Sequence, residues 1–233
     1  MVYLPQFFNL SIPVNKAHPI LPPEVEIRQT ATKGYSLFAV SDIPAGTLLF
    51  AESPLVTINH DDTSLHVLVQ KSLSAADPHS IRSFYNLHNA HHRWTYSSRT
   101  PTHGPAIEAG IWLTNCLLLS TSTSAIFNAM SRINHSCIPN VELEWSEDRE
   151  LMGVFAKRDL AAGDEIFRSY FEEEVGHRLV EVRREYLKGG WAFECGCKRC
   201  VNEATYWSEK NKASASGENR VGIESGSRVQ ISI

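Results

Sequence analysis

Three cysteines crowd one short string, Phe193-Glu194-Cys195-Gly196-Cys197-Lys198-Arg199-Cys200, and no other feature restricts the fold so strongly. Three closely spaced thiolates make most of a tetrahedral zinc site, and structural zinc takes four ligands, commonly all thiolate. The fourth must come from elsewhere, and only Cys116 and Cys137 remain. The chain therefore has to carry a distant segment back to its cysteine-rich end. Five cysteines are an odd number, and four of them suit a metal cluster better than two disulfides. That usage is expected of a reducing compartment, the cytosol or nucleus. An all-thiolate site leaves zinc no open position for water, which excludes a zinc hydrolase.

With 233 residues the chain is long enough for one substantial core with appendages. Its 42% hydrophobic and 21% charged residues are those of a globular protein. A net charge of -4 supplies no global positive field to attract nucleic acid, so direct nucleic-acid binding is not expected. The apolar start from Met1 to Leu10 is interrupted by Pro5, Gln6 and Asn9 and has no basic flank, a poor signal peptide. No run approaches the roughly 20 apolar residues of a membrane span. A soluble protein without membrane partners is the expectation.

Residues 1–23, with Pro5, Pro13, Pro19, Pro22 and Pro23, read as an extended leader. From Val25 to Val56, short apolar runs alternate with turn signals at Lys33-Gly34-Tyr35 and Ile43-Pro44-Ala45-Gly46, which predicts a small β unit over 24–59. Helical spacing then appears at Leu65, Leu68, Val69 and Leu73, and at Ile81, Phe84, Tyr85 and Leu87, divided by Asp77-Pro78. A third helix is predicted from Ile107 to Leu119, and 60–112 reads as a helical insertion between two β halves. In the second half, 113–172, Val141 to Trp145 alternates cleanly and predicts a hairpin with Glu150 to Phe155; a strand follows over Glu165 to Ser169. The stretch from Glu172 to Leu187 reads as one charged helix within a segment 173–201, and 202–233 as a disordered tail. The fold class is mainly β with a helical insertion.

Four segments carry the chemistry. Lys33-Gly34-Tyr35-Ser36-Leu37-Phe38-Ala39 is a glycine turn entering a strand, where the backbone can approach a ligand closely; alone it is also an ordinary β-turn. Asn134-His135-Ser136-Cys137-Ile138-Pro139-Asn140 offers placed polar groups, although Asn134 and Asn140 also suit a turn around Pro139. Gly163-Asp164-Glu165-Ile166-Phe167-Arg168-Ser169-Tyr170-Phe171 ends on a tyrosine that could equally anchor a strand end. Trp191-Ala192-Phe193 leads into the three cysteines. His88, His91 and His92 have no cysteine or carboxylate partner nearby in sequence and read as packing or a solvated face. Cys116, among leucines, reads as a small buried residue.

In this order the four segments resemble SET-domain protein-lysine methyltransferases, closest to the SET-and-MYND-like branch because a helical insertion splits the SET sequence. The resemblance covers roughly residues 25–200; the Cys/His ligands of a MYND zinc module are not among them. It implies small curved sheets in which the two late motifs cross, followed by a zinc-binding post-SET segment. It further implies methyl transfer from S-adenosylmethionine to a lysine of a histone or non-histone protein, with Tyr170 catalytic. Lys33, Gly34, Tyr35, Ser36, Asn134, His135 and Phe193 would bind the cofactor, and Tyr170 and Trp191 line the lysine channel. Cys137 becomes the fourth zinc ligand beside Cys195, Cys197 and Cys200. The sequence departs from the family at Thr32 and Ser36, where glycine is usual, and at Trp191, where tyrosine is common. Those departures motivate a rival expectation: a zinc-stabilised SET-fold binding module without transfer activity.

Overall fold

The computed structural model describes residues 21–61, 63–91 and 107–215. The extended leader (apart from 21–23), His92 and the end of the tail lie outside them. The chain divides into two compact units, Met1–Cys195 and Gly196–Ile233.

The first unit opens with strands β1 (Val25–Thr30) and β2 (Gly34–Ala39), paired antiparallel. Gly34 makes their turn possible: its φ of 71° lies in the left-handed region that side chains resist. Thr30 Oγ1 closes the turn, donating to Gly34 O at 2.9 Å and accepting from Lys33 N at 3.0 Å. Strand β3 (Leu48–Glu52) then joins a sheet completed by the later hairpin, and β4 (Val56–Asn59) begins another.

Helix α1 (Leu65–Ala75) and helix α2 (Pro78–Tyr85) follow. Asp77 caps α2, its carboxylate accepting from His79 N and Ser80 N at 2.8 and 3.1 Å, with Pro78 in the first turn. Helix α3 (Ile107–Asn115) stops earlier than its apolar run predicts. Leu117 and Leu118 form β5 (Leu117–Leu118), which pairs with β6 (Thr123–Ile126), so the Ser/Thr run supplies a strand rather than a loop. In β6, Ile126 packs against α1, α2 and α3 through Val69, Phe84 and Trp112. Ala125 and, just past the strand, Phe127 belong to a second core with Leu37, Phe50 and Val154. Alternation along a strand thus lets one segment serve two cores.

After a short 3-10 helix, Met130–Arg132, come β7 (Asn134–His135), β8 (Val141–Ser146), β9 (Leu151–Ala156) and β10 (Phe167–Arg168). The predicted hairpin is present, with Ser146 opposite Leu151 and Val141 opposite Ala156. β9 is buried along its whole length because β3 and β8 flank it on either side. The predicted strand from Glu165 to Ser169 shrinks to two residues, since Glu165 and Ile166 turn to pair with Phe38 and Leu37 of β2. The charged helix from Glu172 to Leu187 is two helices, α4 (Glu173–Gly176) and α5 (Val180–Trp191), separated by His177, Arg178 and Leu179.

In the second unit, α6 (Lys198–Ala215) corrects the reading of 202–215 as disordered. Its first half is rich in helix-compatible charge pairs such as Arg199 Nε to Glu203 Oε1 at 2.7 Å, one turn apart. Residues 216–233 lie outside the described chain. Among the described residues no helix is long and apolar enough to cross a membrane.

Candidate active site

Two short strands far apart in sequence build the centre of the site. β7 and β10 run parallel, Asn134 beside Phe167 and His135 beside Arg168. Asn140 fastens the loop between: its Nδ2 donates to Glu165 O at 2.8 Å and its Oδ1 accepts from Phe167 N at 2.6 Å. Asn140 is buried at 1% exposure, so it acts as a strut inside the fold. His135 continues the connection, with Nδ1 accepting from Tyr170 N at 3.0 Å.

Tyr170 stands where these segments meet. Its hydroxyl donates to Ile133 O at 3.1 Å. Its ring lies 5.3 Å from His135, 5.2 Å from Trp191 and 6.3 Å from Phe193 by centroid. Phe171 packs on His135 at 4.7 Å, and Tyr186 of α5 on Trp191 at 6.1 Å. The family's channel residues are thus adjacent. Trp191 is placed by its indole N–H, which donates to Thr114 O at 2.8 Å. Burial raises the Tyr170 hydroxyl above its ordinary pKa, with Arg168 acting in the opposite direction.

Arg168 was only a letter in a motif at the sequence level, yet its guanidinium lies 4.4 Å from the Tyr170 ring centroid. It is buried; one amino group donates to Ser169 O at 3.2 Å, and Nε has no partner. Nothing in composition or spacing marks a buried arginine; only the pairing of β10 with β7 turns it inward.

The turn from Lys33 to Ser36 reaches the same strands. Ser36 is fully buried and its hydroxyl donates to Glu165 Oε1 at 2.9 Å. Asn134 Nδ2 donates to Ser36 Oγ and, at 3.3 and 3.4 Å, to Glu165 Oε1 and Tyr35 O. Lys33 Nζ lies 2.6 Å from Glu165 Oε2 and 4.8 Å from the Phe167 ring centroid. The serine at the usual glycine position is therefore satisfied within the fold. Glu165, absent from the sequence-based list of site residues, connects three residues that are on it.

A second buried acid supports the approach to β7. Glu52, at the end of β3, accepts from the backbone N–H groups of Asn128, Ala129 and Met130, the last two at 2.9 and 3.0 Å. Burial raises its pKa to about 7 against those donors and the positive Arg132.

The cysteines divide between the units. In the first, Cys137 Sγ and Cys195 Sγ are 3.9 Å apart. Two ligands of a tetrahedral zinc–thiolate centre stand about 3.8 Å apart, given Zn–S near 2.3 Å. Buried Arg183 donates through Nε to Cys137 Sγ at 3.4 Å, and His135 Nε2 lies 3.4 Å from the same sulfur. Such donors suit a thiolate and orient it. In the second unit, Cys197 precedes α6 and Cys200 lies in its first turn. Together with Cys137 and Cys195 they are the group among the described residues that could hold a metal ion. Cys116 stands apart, its thiol pKa raised by burial.

Comparison with known proteins follows this geometry. The model of the SET domain matches residues 34–171, more than half the chain. The chain is 31% identical over 185 residues to "Histone-lysine N-methyltransferase set5" of Schizosaccharomyces pombe, covering 78% of this chain and 53% of that one. It is 36% identical over 100 residues to "Histone-lysine N-methyltransferase SET5" of Meyerozyma guilliermondii, 42% and 20% of the two chains. To human "Protein-lysine N-trimethyltransferase SMYD5" it is 35% identical over 86 residues, 37% and 21%. The chain spans about half the length of the first relative and about a fifth of the other two. The match takes in the glycine turn, β7 and β10 with Tyr170, the segments that the fold gathers around one tyrosine: this chain belongs to the SET domain family.

Proposed function

We propose that this chain is a protein-lysine N-methyltransferase using S-adenosylmethionine. The observation that carries the reading is the convergence on Tyr170 of His135, Phe193 and Trp191, with its hydroxyl fixed to Ile133 O. Bound S-adenosylmethionine would supply a methyl group on a sulfonium; the chain's own part is alignment and a water-poor wall. Tyr170 commits its proton to Ile133, so what it offers an incoming amine is an acceptor oxygen. With its pKa raised it stays neutral and is no base. The amine loses its proton to water before or during entry. Aromatic walls from Tyr170 and Trp191 suit a lysine chain and its methylated, positively charged product. Lys33, Gly34, Tyr35, Ser36, Asn134, His135 and Phe193 form the cofactor site. The names of the relatives support a lysine acceptor, in a histone or another protein.

Zinc is assigned a structural role on Cys137, Cys195, Cys197 and Cys200. The Cys137–Cys195 separation and the Arg183 donor fit that ion. Residues 24–59 and 113–172 are the two halves of the SET sequence around the insertion. Reduced thiols place the protein in the cytosol or nucleus. No observation favours the inactive module, since Ser36 and Trp191 are both accommodated by hydrogen bonds. Calorimetric titration with S-adenosylmethionine tests the reading. Saturable one-to-one binding weakened by Asn134→Ala, followed by transfer of labelled methyl to histone or lysate protein, supports it; no binding by folded, zinc-containing protein overturns it.

A further inference from the structure

Glu165 holds more of the candidate site together than any motif residue assigned to it. Its backbone is fixed from both sides: it bridges to Phe38, Ile166 N donates to Leu37 O at 2.8 Å, and Glu165 O accepts from Asn140 Nδ2. The carboxylate is therefore delivered from a rigid support. One oxygen takes Ser36 Oγ and Asn134 Nδ2; the other takes the Lys33 ammonium. Three side chains from segments about a hundred residues apart are thus gathered by one acid.

The consequence is a fixed polarity. Asn134 uses its amide nitrogen on Ser36, Glu165 and Tyr35 O, which leaves Oδ1 as the free end, an acceptor. Lys33, held by a single carboxylate oxygen and half exposed, keeps donor capacity for a ligand. A half-exposed ion pair of this kind contributes little to stability. Its arrangement instead places a donor cation and a neutral acceptor side by side, complementary to the carboxylate and ammonium of a free amino-acid group.

We propose that Glu165 is a positioning residue that orients Lys33 and Asn134 to receive the amino-acid end of the cofactor; the proposal rests on the methyl-donor reading above. Two ligands separate the effects: S-adenosylhomocysteine, which carries the amino-acid end, and 5′-methylthioadenosine, which keeps the adenosine thioether and lacks it. Both are titrated calorimetrically into the full zinc-loaded chain. Glu165→Gln keeps an acceptor but turns an amide N–H₂ against the Lys33 ammonium. It should weaken S-adenosylhomocysteine about tenfold, the worth of a charge-assisted contact, and leave 5′-methylthioadenosine within about twofold. Equal loss for both ligands would make Glu165 merely structural and overturn the proposal, as would loss for neither. Should Glu165→Gln fail to fold, Lys33→Met with Glu165 intact must show the same selective loss, and its absence overturns the proposal. Wild-type protein that binds neither ligand overturns the cofactor reading and this proposal with it. Wild-type binding with an unselective variant overturns this proposal alone.

Discussion

Tyr170 keeps its proton and points it at the Ile133 carbonyl, while burial opposes the phenolate. Tyr170→Phe removes the acceptor oxygen and retains the ring packing on Trp191 and His135. Turnover should fall about a hundredfold, the scale of a single lost polar contact to a reacting group, with cofactor affinity within about twofold. Steady-state kinetics beside calorimetry checks this; equal losses of activity and thermal stability would make the residue structural. At this scale the sequence was partly readable. Tyr170, Asn134 and His135 are identifiable from motif letters, because a site that grips a fixed chemistry reuses them. Glu165 and Arg168 were not, because their importance comes from what the crossing of β7 and β10 places beside them.

Between residue and molecule, two elements carry visible costs. The segment entering β7 depends on Glu52, whose carboxyl is raised from 4.5 to about 7 by burial. A folded pKa above the unfolded one means that stability from this group is full below pH 4.5 and is lost as pH rises to 7. The shift corresponds to about 3 kcal/mol across that window. Glu52→Gln should flatten the fall of Tm between pH 5 and 7, and lower Tm in the acid range where the native contacts are strongest; an unchanged slope would reject the assignment. The second element is α5, which ends on Ala192 at φ 58°, a left-handed cap with its N–H donated to Lys188 O. Alanine resists that conformation, so Ala192→Gly should stabilise the protein by about 1 kcal/mol in a denaturation midpoint. Elements with local causes were legible: the β8–β9 hairpin from alternation, α2 from Asp77-Pro78. The end of α3 was not, since Asn115 is turned out of the helical run by bonds from its Nδ2 to His88 O as well as Ile111 O. Strands of two residues, β5, β7 and β10, have too few positions to show any period.

At the scale of the molecule, metal and chain length dominate. Protein purified with zinc should contain one ion per chain by elemental analysis, and Cys197→Ser should lose it along with order at the C-terminal end; retained stoichiometry would reject the ligand set. Chelation should lower Tm by several degrees, because binding free energy at such a site is folding free energy. The return of a distant cysteine to Cys195 was readable from cysteine arithmetic, and the strand-rich class from turn spacing. The helix through 202–215 was not, because its polar composition resembles that of a tail until spacing such as Arg199 to Glu203 is counted. The indole bond from Trp191 to Thr114 has an effect of another kind. Thr114 lies in the last turn of α3, next to the segment of the chain freest to vary between related sequences. Lengthening or shortening that excursion would slide the tryptophan like a doorpost on a movable hinge. Substrate preference in such proteins is then open to drift through changes that never touch a catalytic letter.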